Sequence, residues 1–172
     1  MIDLRDIPIE ELSEYRWQAA CAVAAQLPFS AEGYKNHYYG LFGYSPPAHA
    51  MEWIRWFFEE YDKGTRRFLI KAFRGSTKST TFTVSLETYV LAKFPWYGTL
   101  IIQKSDPAAS QTAASVANII EYNRGWKQMY PNLMPDKDQQ WSSSGYEIKD
   151  TGENYQGWRQ KNYRHPVGQR RN

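Results

Sequence analysis

The stretch Arg67-Phe68-Leu69-Ile70-Lys71-Ala72-Phe73-Arg74-Gly75-Ser76-Thr77-Lys78-Ser79-Thr80 decides how this chain is read. The apolar run Phe68 to Ile70 suits a central strand, and Gly75 with Ser76 suits a tight turn. Lys78-Ser79 then opens a segment whose apolar residues recur at helical spacing. In the order strand, loop, helix, successive backbone N–H groups and the positive end of the helix dipole can hold phosphate. Lys78 then adds a point charge and the Ser79 hydroxyl can ligate Mg²⁺. The nucleotide pattern G-x-x-x-x-G-K-[ST] would require glycine where the chain has Ala72 and Thr77, so only Lys78 and Ser79 coincide with it. A β-branched Thr77 in the left-handed region costs roughly 1–2 kcal/mol, so the loop is either strained there or wound differently. The plainer alternative is a basic strand-to-helix turn.

Upstream of this stretch, good helix formers run from Ile9 to Gln26, with Glu10 and Glu11 in the first turn and Pro28 as a stop. Phe29 to Pro47 mixes Gly33, Gly40 and Gly43 with Tyr34, Tyr38, Tyr39, Phe42 and Tyr44, and reads as an aromatic-rich connector. A helix is predicted over Ala48 to Tyr61, with Met51, Ile54, Phe57, Phe58 and Tyr61 as its apolar stripe. Downstream, a helix over Ser79 to Lys93 is expected to bury Phe82, Leu86, Tyr89 and Val90. Thr99 to Gln103 reads as a second strand, parallel to the first in a βαβ unit. Ser105 or Asp106 can cap a further helix with Ala109, Ala113, Val116, Ile119 and Ile120 inward. Beyond Pro135 a hairpin around Tyr146 to Lys149 is the remaining regular feature. The chain thus divides into a helical and aromatic-rich segment (1–64), an α/β core (65–135) and a polar, basic end of low order (136–172).

The 172 residues carry 21 basic and 18 acidic side chains, a formal charge of +3, which is compatible with DNA contact without demanding it. The single cysteine, Cys21, lies among Ala19, Ala20, Ala22 and Val23 and reads as a small buried residue; it excludes an internal disulfide. His37, His49 and His165 lack metal-ligand spacing, so metal is expected only with a nucleotide. Neither a basic-plus-apolar secretory start nor an apolar run of the roughly 18 residues a membrane span needs is present, so a cytoplasmic protein without membrane contact is expected. After Thr151, Arg159, Lys161, Arg164, Arg170 and Arg171 face the single acid Glu153. Interleaved with Tyr155, Trp158 and Tyr163, they form either a nucleic-acid surface or a solvated end.

The form Phe73-Arg74-Gly75-Ser76-Thr77-Lys78-Ser79-Thr80, with arginine before the glycine and a small residue replacing the second glycine, resembles the phosphate loop of viral terminase large subunits. These are the ATP-driven motors that package phage DNA. Pro46-Pro47-Ala48-His49-Ala50-Met51-Glu52-Trp53, the run Thr99 to Ser105, and Asp106 to Asn123 followed by Gly125-Trp126 and Tyr130-Pro131-Asn132-Leu133 fit the same family, so the resemblance covers Ser45 to Leu133. It implies an α/β chain: a partial P-loop NTPase fold, with a parallel βαβ core preceded by N-terminal helices. It also implies ATP and Mg²⁺ as cofactors, with Gly75, Ser76, Thr77, Lys78, Ser79 and Thr80 around the phosphates. Lys78 would neutralise the β- and γ-phosphates, Ser79 would hold the metal, and Arg74 would approach the γ-phosphate like an arginine finger.

The same resemblance implies work on double-stranded DNA in the host cytoplasm at the procapsid, beside a portal protein and a small terminase subunit, with homo-oligomerisation in the complete motor. Hydrolysis in that family also needs an apolar strand ending in two acids, and between Pro135 and Asn172 no apolar run is followed by adjacent acids. Asp136 and Asp138 follow a proline. The chain therefore reads as the front portion of a longer protein that binds ATP without turning it over alone. Two alternatives stay open: another P-loop ATPase or kinase, and a non-enzymatic basic DNA-binding module.

Overall fold

A computed structural model describes residues 9–138, 141–142 and 145–152. Six α-helices supply most of the order: α1 (Ile9–Gln26), α2 (Ala31–Phe42), α3 (Ala48–Asp62), α4 (Leu86–Lys93), α5 (Asp106–Tyr122) and α6 (Arg124–Met129). A π-helical stretch, Ser79–Ser85, runs without a break into α4. Four short strands follow: β1 (Leu133–Pro135), β2 (Trp141–Ser142), β3 (Gly145–Tyr146) and β4 (Ile148–Asp150).

The parallel βαβ core expected from Phe68–Ile70 and Thr99–Gln103 is absent among the described residues, and the α/β P-loop class is corrected to a mainly helical fold. The ladders among the described residues are antiparallel: β1 pairs with β4 in the register Leu133↔Asp150, Met134↔Lys149, and β2 pairs with β3 through Trp141↔Tyr146. They are nested, so the hairpin anticipated near Tyr146 is present and longer than expected. The two apolar runs form no strand, and Leu69, Leu100 and Ile102 in them, with Phe73 beyond the first, are each at least 74% exposed. The physical reason is that β-propensity favours an extended backbone while only a neighbouring strand satisfies its N–H and C=O groups. Neither run meets such a neighbour, and the helices bury their apolar faces on one another.

Two clusters form the interior. One joins Cys21 and Ala24 of α1 to Leu91 of α4, Val116 and Ile120 of α5 and Trp126 of α6. The other joins Tyr34 and Tyr38 of α2 to Met51, Ile54 and Phe58 of α3 and Tyr89 of α4. Helix α4 therefore serves both, and the core draws on residues from either side of Gly64. Cys21 is fully buried, as its alanine-rich surroundings suggested, and burial pushes its thiol up to about 11.

Helix α2 replaces the expected connector. Ser30 caps it, its Oγ accepting the Gly33 N–H at 3.1 Å, and Gly43 ends it at φ +75°. Of the other glycines that suggested a loop, Gly33 and Gly40 are helix positions where a neighbour approaches closely. A Cβ on Gly33 would lie 2.1 Å from the Tyr89 hydroxyl, and one on Gly40 would lie 2.6 Å from Met129 Sδ. Here packing outweighs the helix penalty of glycine, about 1 kcal/mol. Helices α1 and α5 agree closely with the spans read from sequence, and α3 extends one residue further.

A buried polar chain ties α2 to α4 and to Tyr130. His37 is fully buried, with Nε2 3.0 Å from Thr88 Oγ1 and Nδ1 3.0 Å from the Tyr130 hydroxyl. Thr88 Oγ1 donates its single proton to the Ser85 carbonyl at 2.9 Å, so it accepts from His37 Nε2–H. Nδ1 is then the acceptor for Tyr130 O–H, and every member of the chain is satisfied with a neutral imidazole. Beside it, Lys93 Nζ donates to the Ala24 and Ala25 carbonyls at the end of α1, closing orphan acceptors of that helix.

Candidate functional site

The residues that the sequence singled out, Arg74 to Thr80, form a turn that leads from a segment without regular structure into the first residues of the π-helical stretch. Gly75 has φ +85° and Thr77 φ +59°, the latter being the only non-glycine residue with positive φ among those described. Thr77 is thus held in the strained left-handed form. Two contacts hold it there: its hydroxyl donates to the Ser76 carbonyl at 2.6 Å, and its own carbonyl accepts the Thr81 N–H at 2.9 Å. The second bond opens the helix, so the N–H groups of Lys78, Ser79 and Thr80 fall in the first turn, where a helix has no internal acceptors. No side chain caps this end.

The residues that run from left-handed Gly75 and Thr77 into right-handed Lys78 (φ −51°) supply successive turn-conformation amides at the positive end of a helix that continues to Lys93. Such a run of left- and right-handed residues at a helix start is the kind of backbone that can receive an anion. Ser76 is 2% exposed and its hydroxyl has no hydrogen-bond partner among the described residues. Arg74, Thr77 and Ser79 are exposed, and Lys78 and Thr80 are half-buried. Between residues 66 and 80 the chain has five basic side chains, Arg66, Arg67, Lys71, Arg74 and Lys78, and no acid. Arg74 makes no ion pair with a described residue.

One neighbour of the loop, and one half-buried acid away from it, escaped the sequence reading. His49, in the first turn of α3, places Nε2 3.1 Å from the Ser76 carbonyl oxygen. The acceptor is a carbonyl, so Nε2 carries the proton. Its ring packs edge-on to Trp53 at 5.1 Å, and Trp53 lies 6.3 Å from Phe82 of the π-helical stretch. Glu87 on α4 is half-buried; burial raises its carboxyl above the usual range against the opposing hydrogen bonds of Thr99 and Tyr146. Neither had a signal in sequence, since contacts across 27 residues or between helix and hairpin follow no local spacing.

The π-helical geometry has a visible companion: the Tyr34 hydroxyl donates to the Thr81 carbonyl at 3.1 Å, an oxygen that also accepts the Leu86 N–H. Such widened turns recur at functional sites. Among the described residues no group of three or more His, Cys, Asp or Glu side chains is placed to hold a metal, and no helix is long and apolar enough to cross a membrane. The basic segment after Thr151 that could track a nucleic acid lies, from residue 153 on, outside the described residues. In comparison with known proteins, no protein-family model, no curated protein and no solved structure matches the chain.

Proposed function

We propose that the loop Arg74–Thr80 binds the phosphates of ATP, and that the chain is the ATP-binding portion of a DNA-packaging motor of the terminase large-subunit type. The observation that carries the reading is left-handed Thr77 between Gly75 and Lys78, at an uncapped helix start in a stretch, residues 66 to 80, that holds no acid. The amides of Gly75 and Thr77 and of the first helical turn cradle the phosphate oxygens, while the Ser76 N–H closes the turn on the Phe73 carbonyl at 3.4 Å. Lys78 neutralises the β- and γ-phosphates, Thr80 assists at the α-phosphate, and exposed Arg74 reaches toward the γ-phosphate. Exposed Ser79, in the first turn, offers its hydroxyl to Mg²⁺, which would offset phosphate charge when bound. The buried Ser76 hydroxyl is a further donor without a partner in the protein. The support is local to loop and helix and involves no sheet. Double-stranded DNA, a portal protein, a small subunit and assembly of several copies belong to this reading as properties of the whole motor in the host cytoplasm.

The test is Mg²⁺-dependent binding of a fluorescent ATP analogue to the wild type and to Lys78→Ala at fixed moderate salt. A charged hydrogen bond contributes about 1.5–3 kcal/mol, so the variant should bind roughly 10- to 100-fold more weakly. Binding to neither protein, or to both equally, would refute the phosphate role. Turnover by the chain alone is expected to be negligible, and hydrolysis abolished by Lys78→Ala would overturn that expectation.

A further inference from the structure

We propose that His49 is a positioning residue for the phosphate loop: it holds the Ser76–Thr77 peptide in the one orientation that turns the Thr77 N–H toward a bound phosphate oxygen. The inference rests on the phosphate reading above and adds to it a residue from another helix.

The geometry is that of a peptide plane held from one side. The Ser76 carbonyl accepts two hydrogen bonds, from His49 Nε2–H at 3.1 Å and from the Thr77 hydroxyl at 2.6 Å. The Ser76–Thr77 bond is trans, as are all those described, so the carbonyl and the following N–H point in opposite directions. Holding the oxygen toward α3 turns the Thr77 N–H away from α3, to the other side of the plane. Thr77 itself sits at φ +59°, a conformation its β-branched side chain disfavours, so the plane would relax if its anchors were removed. The Thr77 hydroxyl moves with the loop and cannot anchor it to the rest of the protein. His49 can, because α3 is packed in the core through Met51, Ile54 and Phe58. Trp53 sets the plane of the imidazole and reaches Phe82 on the helix that the loop feeds. His49 thus transmits the position of α3 to the loop without touching the ligand.

The experiment measures the affinity of wild type, His49→Ala, His49→Phe, His49→Gln and Lys78→Ala for the fluorescent ATP analogue with Mg²⁺, with unlabelled pyrophosphate as competitor. The ¹⁵N-amide shift of Thr77 is followed as pyrophosphate is added. His49→Phe keeps a ring against Trp53 but lacks the donor, and His49→Gln restores a donor. The expected result is roughly tenfold weaker binding of both ligands in the Ala and Phe variants, from one misdirected donor. The Gln variant should recover to within about threefold of wild type, and the pyrophosphate-induced Thr77 shift should be lost in the Phe variant. Wild-type affinity in the Ala and Phe variants, with binding still lost in Lys78→Ala, would overturn the role of His49 and leave the phosphate site standing. Equal weakening in Phe and Gln would overturn it as well. Absence of Lys78-dependent binding in the wild type would remove both readings.

Discussion

Acidification from pH 7 to pH 5 should weaken this fold through His37. Burial and the nearby Lys93 charge push its imidazole down to about 3 from an ordinary 6.5. A group whose folded pKa is depressed contributes stability above its unfolded pKa and loses it as pH falls. The contribution of His37 is therefore whole above about pH 6.5 and drains away toward pH 3. Between pH 7 and pH 5 the linkage relation gives a loss of about 2 kcal/mol, short of the roughly 2.8 kcal/mol of the limiting slope because the unfolded imidazole is only partly protonated above pH 6.5. That is a large share of a domain stability of roughly 5–15 kcal/mol. The structural origin is the satisfied chain through His37: a second ring proton would sit on Nδ1 facing Tyr130 O–H, replacing an acceptor with a donor.

Among the acidic groups only Glu87, raised by burial, acts in this window, and with the opposite sign: its burial penalty is relieved as pH falls. Glu14, Glu60 and Glu121 are held below their ordinary 4.5 by Arg124, Lys63 and Lys137, so their contributions fade only at lower pH. Urea unfolding of wild type and of His37→Gln at pH 7, 6 and 5 isolates the loss, which should be absent from the variant, where the raised Glu87 leaves stability level or rising toward pH 5. The same slope in His37→Gln as in the wild type would refute the reasoning.

Two further substitutions test the loop and the helix packing. Thr77→Gly and Thr77→Val both remove the hydroxyl bond to Ser76, but only glycine relieves the left-handed backbone, so the glycine variant should be about 1–2 kcal/mol the more stable in urea unfolding. Equal stability would mean that Thr77 carries no strain. At the contact of α2 with α6, a Cβ on Gly125 would lie 1.9 Å from the Gly40 carbonyl oxygen, a backbone atom that can move only with its helix. Gly125→Ala should therefore destabilise by about 3 kcal/mol and lower Tm by roughly 6–12 °C, and a change under about 1 kcal/mol would show that the helices separate easily.

Most helices of this protein are legible in the amino-acid order itself. Periodicity, Glu10 and Glu11 near a helix start, and the prolines at 28 and 107 act within a few residues, so α1, α3 and α5 can be read from the chain alone. The turn at Gly75–Ser76 and the cost at Thr77 are legible for the same reason: φ preference belongs to the residue. Helix α2 is not, because its glycines matter through Tyr89, Met129 and the close approach of Gly125, which are distant in sequence. The two apolar runs, Phe68–Ile70 and Thr99–Gln103, state a preference for extension and no more. Whether an extended run becomes a strand depends on a second chain segment beside it, and in the described residues none is there. Likewise the sequence determined that Lys78 and Ser79 stand at a helix start, whereas tertiary structure alone decided that His49 holds the loop and that Glu87 lies half-buried beside Tyr146. Local preference is written residue by residue, but hydrogen-bond partners and burial arise only when remote segments meet.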